Sequence, residues 1–211
     1  MAFVPDGRLS TGTTARPNRG RVITYEDALT AARRQFVATG WLSMSGLQRD
    51  LLVSRATLYR VVGSRDALLG DVLWQLAART LEVVVAEVDR EGLRGVDRLI
   101  EITRRFDDLV VGFEPLQLLL QRDPVVAFRV LFTSAGRVHE RVVEAFAELF
   151  AEARDAGEVA LPFDVTASAY LHVRIGESKL YGHLLAGVGP DEAMIEQLRR
   201  TVLQEPESAA R

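Results

Sequence analysis

The sequence contains no cysteine, which excludes disulfide bonds and metal sites built from thiolates. No uninterrupted hydrophobic run approaches the roughly 20 residues that a membrane-spanning helix needs. The N-terminus also lacks the apolar segment of a secretory signal peptide. We therefore expect a cytoplasmic protein with no membrane partner, and the hydrophobic content of 48% is enough for a folded core.

The familiar catalytic motifs are missing as well. There is no Walker loop, dinucleotide-binding fingerprint or nucleophile elbow. The histidines do not have metal-site spacing: His172 and His183 are three helical turns apart, about 16 Å, and His139 belongs to a different predicted helix. We therefore predict no metal, no cofactor and no enzyme activity.

Lysine is almost absent, Lys179 being the only one, so the positive charge comes from arginine, and it is unevenly distributed. Residues 1–70 carry a formal charge of +5, whereas residues 71–211 carry −8. A basic N-terminal third on an acidic body is typical of a DNA-binding domain. Residues 1–22 hold four arginines without periodicity and predict a flexible basic arm. A DNA-contacting arm and an idle solvated tail both remain open.

Three short helices are predicted between residues 23 and 69, because each begins at a capping residue. Thr24 caps the first helix, which ends at Gly40, and Ser43 and Ser54 cap the next two. Apolar residues recur at spacings of three and four. Trp41 is expected to pack as core beneath these helices rather than to act as a stacking platform.

The third predicted helix is polar for a structural element. Leu58 is its one clear core anchor, whereas Arg55, Thr57, Tyr59 and Arg60 have side chains that reach phosphates and base edges. A helix-turn-helix with a polar second helix fits the major groove of DNA. The alternative is an ordinary solvated face on a small helical bundle.

A family resemblance supports the DNA interpretation. The stretch VSRATLYRVVGSRDALL resembles the DNA-binding signature of the bacterial TetR-family transcriptional regulators, and ALTAARRQFVATGW resembles the first helix of that family. The match covers about residues 24–70. It departs at Leu52, where the family usually has glycine, and at Arg60, Val61 and Val62, where aromatic residues are usual. The later run RIGESKLYGHLLAG is similar to the QsdR-like branch of the family.

The resemblance implies a homodimeric repressor that binds a double-stranded DNA operator and is released by a small-molecule effector. For the QsdR-like branch it implies a lactone or an acyl-lactone. It also matches Tyr59 and Arg65 to phosphate-contacting positions. The predicted DNA-binding residues are Ser43, Ser54, Arg55, Ala56, Thr57, Tyr59, Arg60 and Arg65.

The rest of the chain predicts helices and no strands, hence an all-α protein with a helix-turn-helix head on a helical bundle. The predicted divisions are a basic arm (1–22), a DNA-binding domain (23–69) and an effector-binding and dimerisation domain (70–211). A long helix from Ser64 towards Glu91 joins the last two. Another is predicted to run from Pro124 to Asp155, and helices near 164–187 and 191–204 are predicted to form the dimer contact.

One helix of the body carries an unusual polar face. Tyr170, Arg174, Glu177 and Tyr181 are spaced by four, three and four residues in a helix that looks largely buried. A structural Arg174–Glu177 pair and a polar patch in an apolar ligand cavity are both open. The predicted effector-binding residues are Phe106, Phe113, Tyr170, Arg174, Glu177 and Tyr181, with Phe113 at the mouth of the pocket.

Two other functions stay open at this point. One is a DNA-binding regulator that has no effector and responds to a protein partner. The other is an all-α enzyme or ligand carrier that uses the face from Tyr170 to Tyr181.

Overall fold

The computed structural model describes residues 23–186 and 191–206, and the side chains of 23–182 and 191–206. Over these ranges the chain forms ten α-helices and no strand, apart from one isolated bridge between Ala160 and Gln204. The all-α prediction is therefore confirmed. The predicted basic arm (1–22) lies outside the described residues.

Three short helices form the head: α1 (Tyr25–Thr39), α2 (Met44–Leu51) and α3 (Arg55–Val62). Each begins where a side-chain oxygen accepts from the backbone. Thr24 accepts from Asp27 N at 3.1 Å, and the Asp27 carboxylate accepts in return from Thr24 N at 2.9 Å. Gly40 ends α1 in the left-handed conformation, at φ 63°.

Helix α4 (Arg65–Arg90) belongs to both the head and the body. Its first half contributes Leu68, Leu69 and Val72 to a hydrophobic cluster that also holds the head residues. Its second half contributes Val84 and Val88 to a separate cluster in the body. One rigid helix therefore runs from the core of the head into the core of the body.

Three helices follow along the body: α5 (Gly95–Val111), α6 (Glu114–Arg122) and α7 (Pro124–Phe132). The predicted single helix from Pro124 to Asp155 is wrong, because the chain breaks between Phe132 and α8 (Val138–Asp155).

The break follows from a close backbone contact between the turn and α4. A Cβ atom on Gly136 would lie 2.2 Å from the Val130 carbonyl oxygen, and a Cβ atom on Gly70 would lie 2.2 Å from the Gly136 carbonyl oxygen. Arg137 then takes a left-handed φ of 57° before α8 begins. Only glycine fits at both contact positions, so the turn can press directly against α4.

Two helices complete the described fold, α9 (Val165–Ala186) and α10 (Glu192–Val202). Helix α9 packs on α8, α5 and α10. Helix α10 turns Ile195, Arg199 and Val202 into the body. No helix within the described residues is long and apolar enough to cross a membrane.

Candidate functional site

Helix α3 is fixed by its apolar side and presents a polar surface. Leu58 and Val62 are buried in the head, whereas Arg55, Ala56 and Arg60 are exposed. All three exposed residues were predicted to contact DNA. The anchors hold the helix without using its arginines, and within the described part of the chain neither guanidinium group has an ion-pair partner.

The other polar side chains of α3 are ordered by local contacts. The Ser54 hydroxyl accepts from Thr57 N at 3.1 Å and lies 2.9 Å from the Thr57 hydroxyl. The Arg55 guanidinium lies 5.3 Å from the centre of the half-buried Tyr59 ring. Ser43 has the same capping role at α2, where it accepts from Gly46 N at 3.1 Å. The predicted serines thus position the start of each helix.

The turn between α2 and α3 contains Leu52, where the resembling motif has glycine. Leu52 takes the left-handed conformation, at φ 56° and ψ 41°, and its side chain is 68% exposed. A leucine pays about 1–2 kcal/mol for this conformation. The turn therefore keeps its geometry without glycine and places an apolar side chain beside α3.

Trp41 joins the head to the body through two arginines. Its ring lies 4.2 Å from the Arg65 guanidinium on α4 and 4.4 Å from the Arg122 guanidinium at the end of α6. The expectation that Trp41 is only a core residue is therefore wrong: it packs against the core and is also a stacking platform. Arg65 further donates from Nε to the Leu42 carbonyl at 2.9 Å, and burial lowers the pKa of its guanidinium. An Arg65 variant will change the packing of the head as well as any phosphate contact.

Further contacts cross the seam between the head and the body. The rings of Phe36 on α1 and Phe113 at the start of α6 lie 6.4 Å apart. Asp66 on α4 accepts from Arg129 on α7 at 2.6 Å. Asp71 on α4 accepts from Tyr25 of the head and, at 2.5 Å, from Arg141 of the body. Helices α6, α7 and α8 thus all contact the head or the first turns of α4.

A cavity of about 290 Å³ lies in the body and is lined by residues of α4–α10. Its wall is mostly apolar, with Leu and Val from several helices. Of the six predicted effector-binding residues, Phe106, Phe113 and Glu177 line it, whereas Tyr170, Arg174 and Tyr181 do not. Three of the six predicted residues therefore lie at the cavity wall, and three lie away from it.

Three residues of the predicted polar face belong to one connected cluster, whereas the ring of Tyr181 packs against Phe128 and Phe132. Arg174 donates to Glu177 at 2.8 Å, and its guanidinium lies 5.2 Å from the Tyr170 ring centre. The other Glu177 oxygen lies 2.7 Å from His139 Nδ1. Tyr170 is 44% exposed, so the expectation of a largely buried helix is wrong on this side. Glu177 is the member that reaches the cavity wall, and the cluster holds its carboxylate in place.

The sequence missed a buried ion pair at the cavity. Arg199 of α10 and Asp107 of α5 both line it, with Arg199 Nη2 and Asp107 Oδ2 2.7 Å apart. Burial raises the pKa of the Asp107 carboxyl, although the neighbouring guanidinium opposes this. Gly176 makes room for the pair, since a Cβ atom there would lie 2.1 Å from Arg199 Nη2. No spacing rule links α5 to α10, so only the tertiary structure reveals this pair.

His172 is structural. It is fully buried against Phe150, and its Nε2 lies 2.8 Å from the Thr103 hydroxyl, which itself donates to the Leu99 carbonyl. Nε2 must therefore carry the proton, and burial lowers the pKa of the imidazole well below its usual value. Within the described residues no group of acidic or histidine side chains could hold a metal ion.

These features define an all-α protein with a helix-turn-helix head and a cavity in its helical body. The tetracyclin repressor-like C-terminal domain model matches residues 94–211, and the chain belongs to the TetR family of transcriptional regulators. Members of this family act by binding DNA and are not enzymes, which agrees with the sequence prediction.

Comparison with solved structures agrees with this assignment. The chain is similar to the TetR-family transcriptional repressor QsdR of R. erythropolis, with a TM-score of 0.77 and 26% identity over 89% of this chain and 97% of that one. The predicted QsdR-like resemblance is thereby confirmed. A weaker likeness, to the flavonoid-responsive regulator FrrA, has a TM-score of 0.44 and 20% identity over 87% of this chain and 98% of that chain. No curated protein matches the sequence.

Proposed function

We propose that this regulator is a homodimeric repressor, which binds an operator through α3 and leaves it when a small, mostly apolar effector fills the cavity. The observation that carries this proposal is the double position of Phe113. Its ring lines the cavity and also packs against Phe36 of the head. A ligand that moves the start of α6 must therefore move a direct neighbour of α1.

The DNA part of the proposal rests on the surface of α3. Arg55 and Arg60 are exposed, and the N-terminal third of the chain carries the formal charge of +5 that attracts a phosphate backbone. We infer that Arg55, at the start of the helix, reaches base edges. The DNA backbone is then contacted by Arg60, Tyr59 and Thr57. The capping residues Ser43 and Ser54 orient α2 and α3. A regulator of this kind acts on the bacterial chromosome, so we place it in the cytoplasm.

The effector part rests on the size and the wall of the cavity. A volume of about 290 Å³ is at the lower end for a ligand site, and the wall is mainly aliphatic and aromatic. Both features favour a small molecule with a substantial apolar part. The QsdR-like resemblance adds a lactone or an acyl-lactone as the specific candidate, whose alkyl part suits such a wall. The cavity also weighs against a regulator that responds only to a protein partner.

Dimerisation is proposed from the apolar residues that the single chain leaves exposed. Phe163, Tyr170 and Leu171 are partly or largely exposed along the groove between α8 and α9. Met194 and Leu198 are exposed on α10. We propose that α9 is the centre of the interface. The side chains of α9 beyond residue 182 lie outside the described part of the chain. Two-fold symmetry would set the spacing of two operator half-sites.

Selection of bound duplexes from random DNA tests the function directly. The proposal predicts an enriched sequence with two inverted half-sites, and complexes that dissociate when a lactone of suitable size is added. If the folded protein recovers duplexes at random, the proposal that it binds a specific DNA sequence is refuted. If the enriched sequence has a single half-site that a monomer binds, the proposed dimer is refuted. Sedimentation at micromolar concentration measures the oligomeric state independently.

A further inference from the structure

Most polar side chains at the cavity already use their hydrogens inside the protein. Thr80 donates to the Leu76 carbonyl at 2.9 Å, and Thr103 donates to the Leu99 carbonyl at 2.6 Å. His139 and Glu177 are paired with each other. Asp107, when ionised, can only accept. Among the described residues that line the cavity, this leaves Arg199 as the side chain with unused donors.

Arg199 is buried without making a well-formed hydrogen bond. It is 3% exposed, and its Nε and Nη2 atoms have no hydrogen-bond partner within the described part of the chain. The Asp107 oxygen is 2.7 Å from Nη2, but the N–H group does not point at it. The carboxylate thus balances the charge of the guanidinium and leaves its directional donors unsatisfied. Buried donors of this kind are costly, which calls for an acceptor at this wall.

The charges around the cavity indicate what kind of acceptor fits. Asp107 offsets the charge of Arg199, and Arg174 offsets that of Glu177 from outside the cavity. A carboxylate ligand would add a third anion beside Asp107 and Glu177, and no free cation to balance it lies among the described residues that line the cavity. An uncharged oxygen acceptor meets no such penalty. The apolar remainder of the wall then takes the hydrocarbon part of the same molecule.

We propose that Arg199 recognises the effector, by donating from its buried guanidinium to the carbonyl oxygen of an uncharged, mostly apolar lactone, ester or amide. Asp107 positions the guanidinium, and Gly176 leaves the space in which it lies. This assignment rests on the proposed effector-released repressor and makes Arg199 its specificity-determining residue. Arg174 and Tyr181, two of the predicted effector-binding residues, do not line the cavity, whereas Arg199 does.

The test uses calorimetric titration of the full chain with three probes of similar size. γ-Decalactone has the carbonyl, 2-hexyltetrahydrofuran keeps the ring and the alkyl chain without it, and decanoate carries a charge. The wild-type chain should bind the lactone at least about tenfold more tightly than the ring ether, the value expected for a lost hydrogen bond to a charged donor. Decanoate should bind more weakly than the lactone.

The variants identify the responsible residue. Asp107→Ala/Arg199→Met removes both members of the pair, so that neither charge is left alone, and should bind the lactone and the ring ether with similar affinity. Arg199→Lys keeps the charge but loses the planar fork, and should reduce the discrimination. Arg200→Gln is the matched control, because Arg200 is the next residue of α10 but pairs at the surface with Glu196 and Asp97. This variant should show the same ratio of affinities for the lactone and the ring ether as the wild type.

Several outcomes would overturn the assignment: full discrimination in both Arg199 variants, tighter binding of decanoate than of the lactone, or no binding of the lactone to the wild type. Circular dichroism and affinity for the selected duplex confirm that the variants fold. If the chain binds its operator but its lactone affinity does not depend on Arg199, this inference is refuted and the proposed function stands. If the lactone affinity depends on Arg199 but the chain prefers no DNA sequence, the proposed function is refuted instead. The recognition of the carbonyl by Arg199 then still stands.

Discussion

Replacing Trp41 with leucine should lower the free energy of unfolding, because it removes contacts at the junction between the head and the body. Part of this loss comes from stacking on Arg65 and part from stacking on Arg122, and the two parts can be measured separately. The Trp41 ring lies 4.2 Å from the Arg65 guanidinium, whose side chain is 21% exposed, and 4.4 Å from the guanidinium of the exposed Arg122. A cation over an aromatic face contributes about 0.5–1 kcal/mol when exposed and about 2 kcal/mol when desolvated. We therefore expect a coupling of about 1–2 kcal/mol to Arg65 and about 0.5–1 kcal/mol to Arg122.

Double-mutant cycles measured by urea unfolding separate these couplings from the loss of packing. Arg122→Met is the cleaner partner, because it keeps the aliphatic stem and changes no contact inside the head. Trp74→Leu in the same Arg122→Met background is the control, since Trp74 is also partly buried but stacks on neither arginine. A Trp41–Arg122 coupling indistinguishable from the control, within about 0.3 kcal/mol, would refute the stacking interpretation.

Three further changes test the fold, the protonation and the assembly. Gly70→Ala should cost about 1–3 kcal/mol of unfolding free energy, because the new methyl group would collide with the Gly136 backbone. The wild type should lose unfolding free energy on the order of 1 kcal/mol between about pH 7.5 and pH 5.5 through His172, and His172→Gln should lose correspondingly less. The folded-state pKa of His172 is depressed, so the unfolded state binds the proton first and stability falls as the pH drops through about 6.5. Leu171→Arg should shift the proposed dimer towards monomer in sedimentation, because it would bury an unpaired charge costing several kcal/mol, and Leu198→Arg examines α10 in the same way.

Each of these predictions has a clear contrary result. An unfolding free energy for Gly70→Ala equal to that of the wild type would mean that the turn and α4 can separate freely. Parallel pH profiles of wild type and His172→Gln would mean that the imidazole titrates normally in the folded state. An unchanged dimer in Leu171→Arg would move the interface away from the α8–α9 groove.

The head could be predicted from the sequence because its signals are local. Capping by Thr24, Ser43 and Ser54, and the stop at Gly40, depend on residues within a few positions of each helix end. The polar surface of α3 could also be predicted from local sequence, because Leu58 was the one clear apolar anchor among its polar residues.

The errors all involve contacts between residues far apart in the sequence. The break before α8 depends on Gly136 meeting Gly70 of α4, which no helical periodicity announces. The stacking of Trp41 depends on Arg122 arriving from α6. The cavity-facing ion pair depends on α10 lying against α5 across Gly176, so its residues look like ordinary surface positions in the sequence.

The most direct test of the account is the affinity of the full chain for its selected duplex and for a scrambled duplex of the same length, measured by fluorescence anisotropy. Arg55→Ala should reduce the preference for the selected duplex by about tenfold or more, as expected for the loss of a good contact to a base edge. The control Arg154→Ala, at the exposed end of α8, should retain the full preference. A folded Arg55→Ala variant that retains the wild-type preference would contradict the claim that α3 reads the operator.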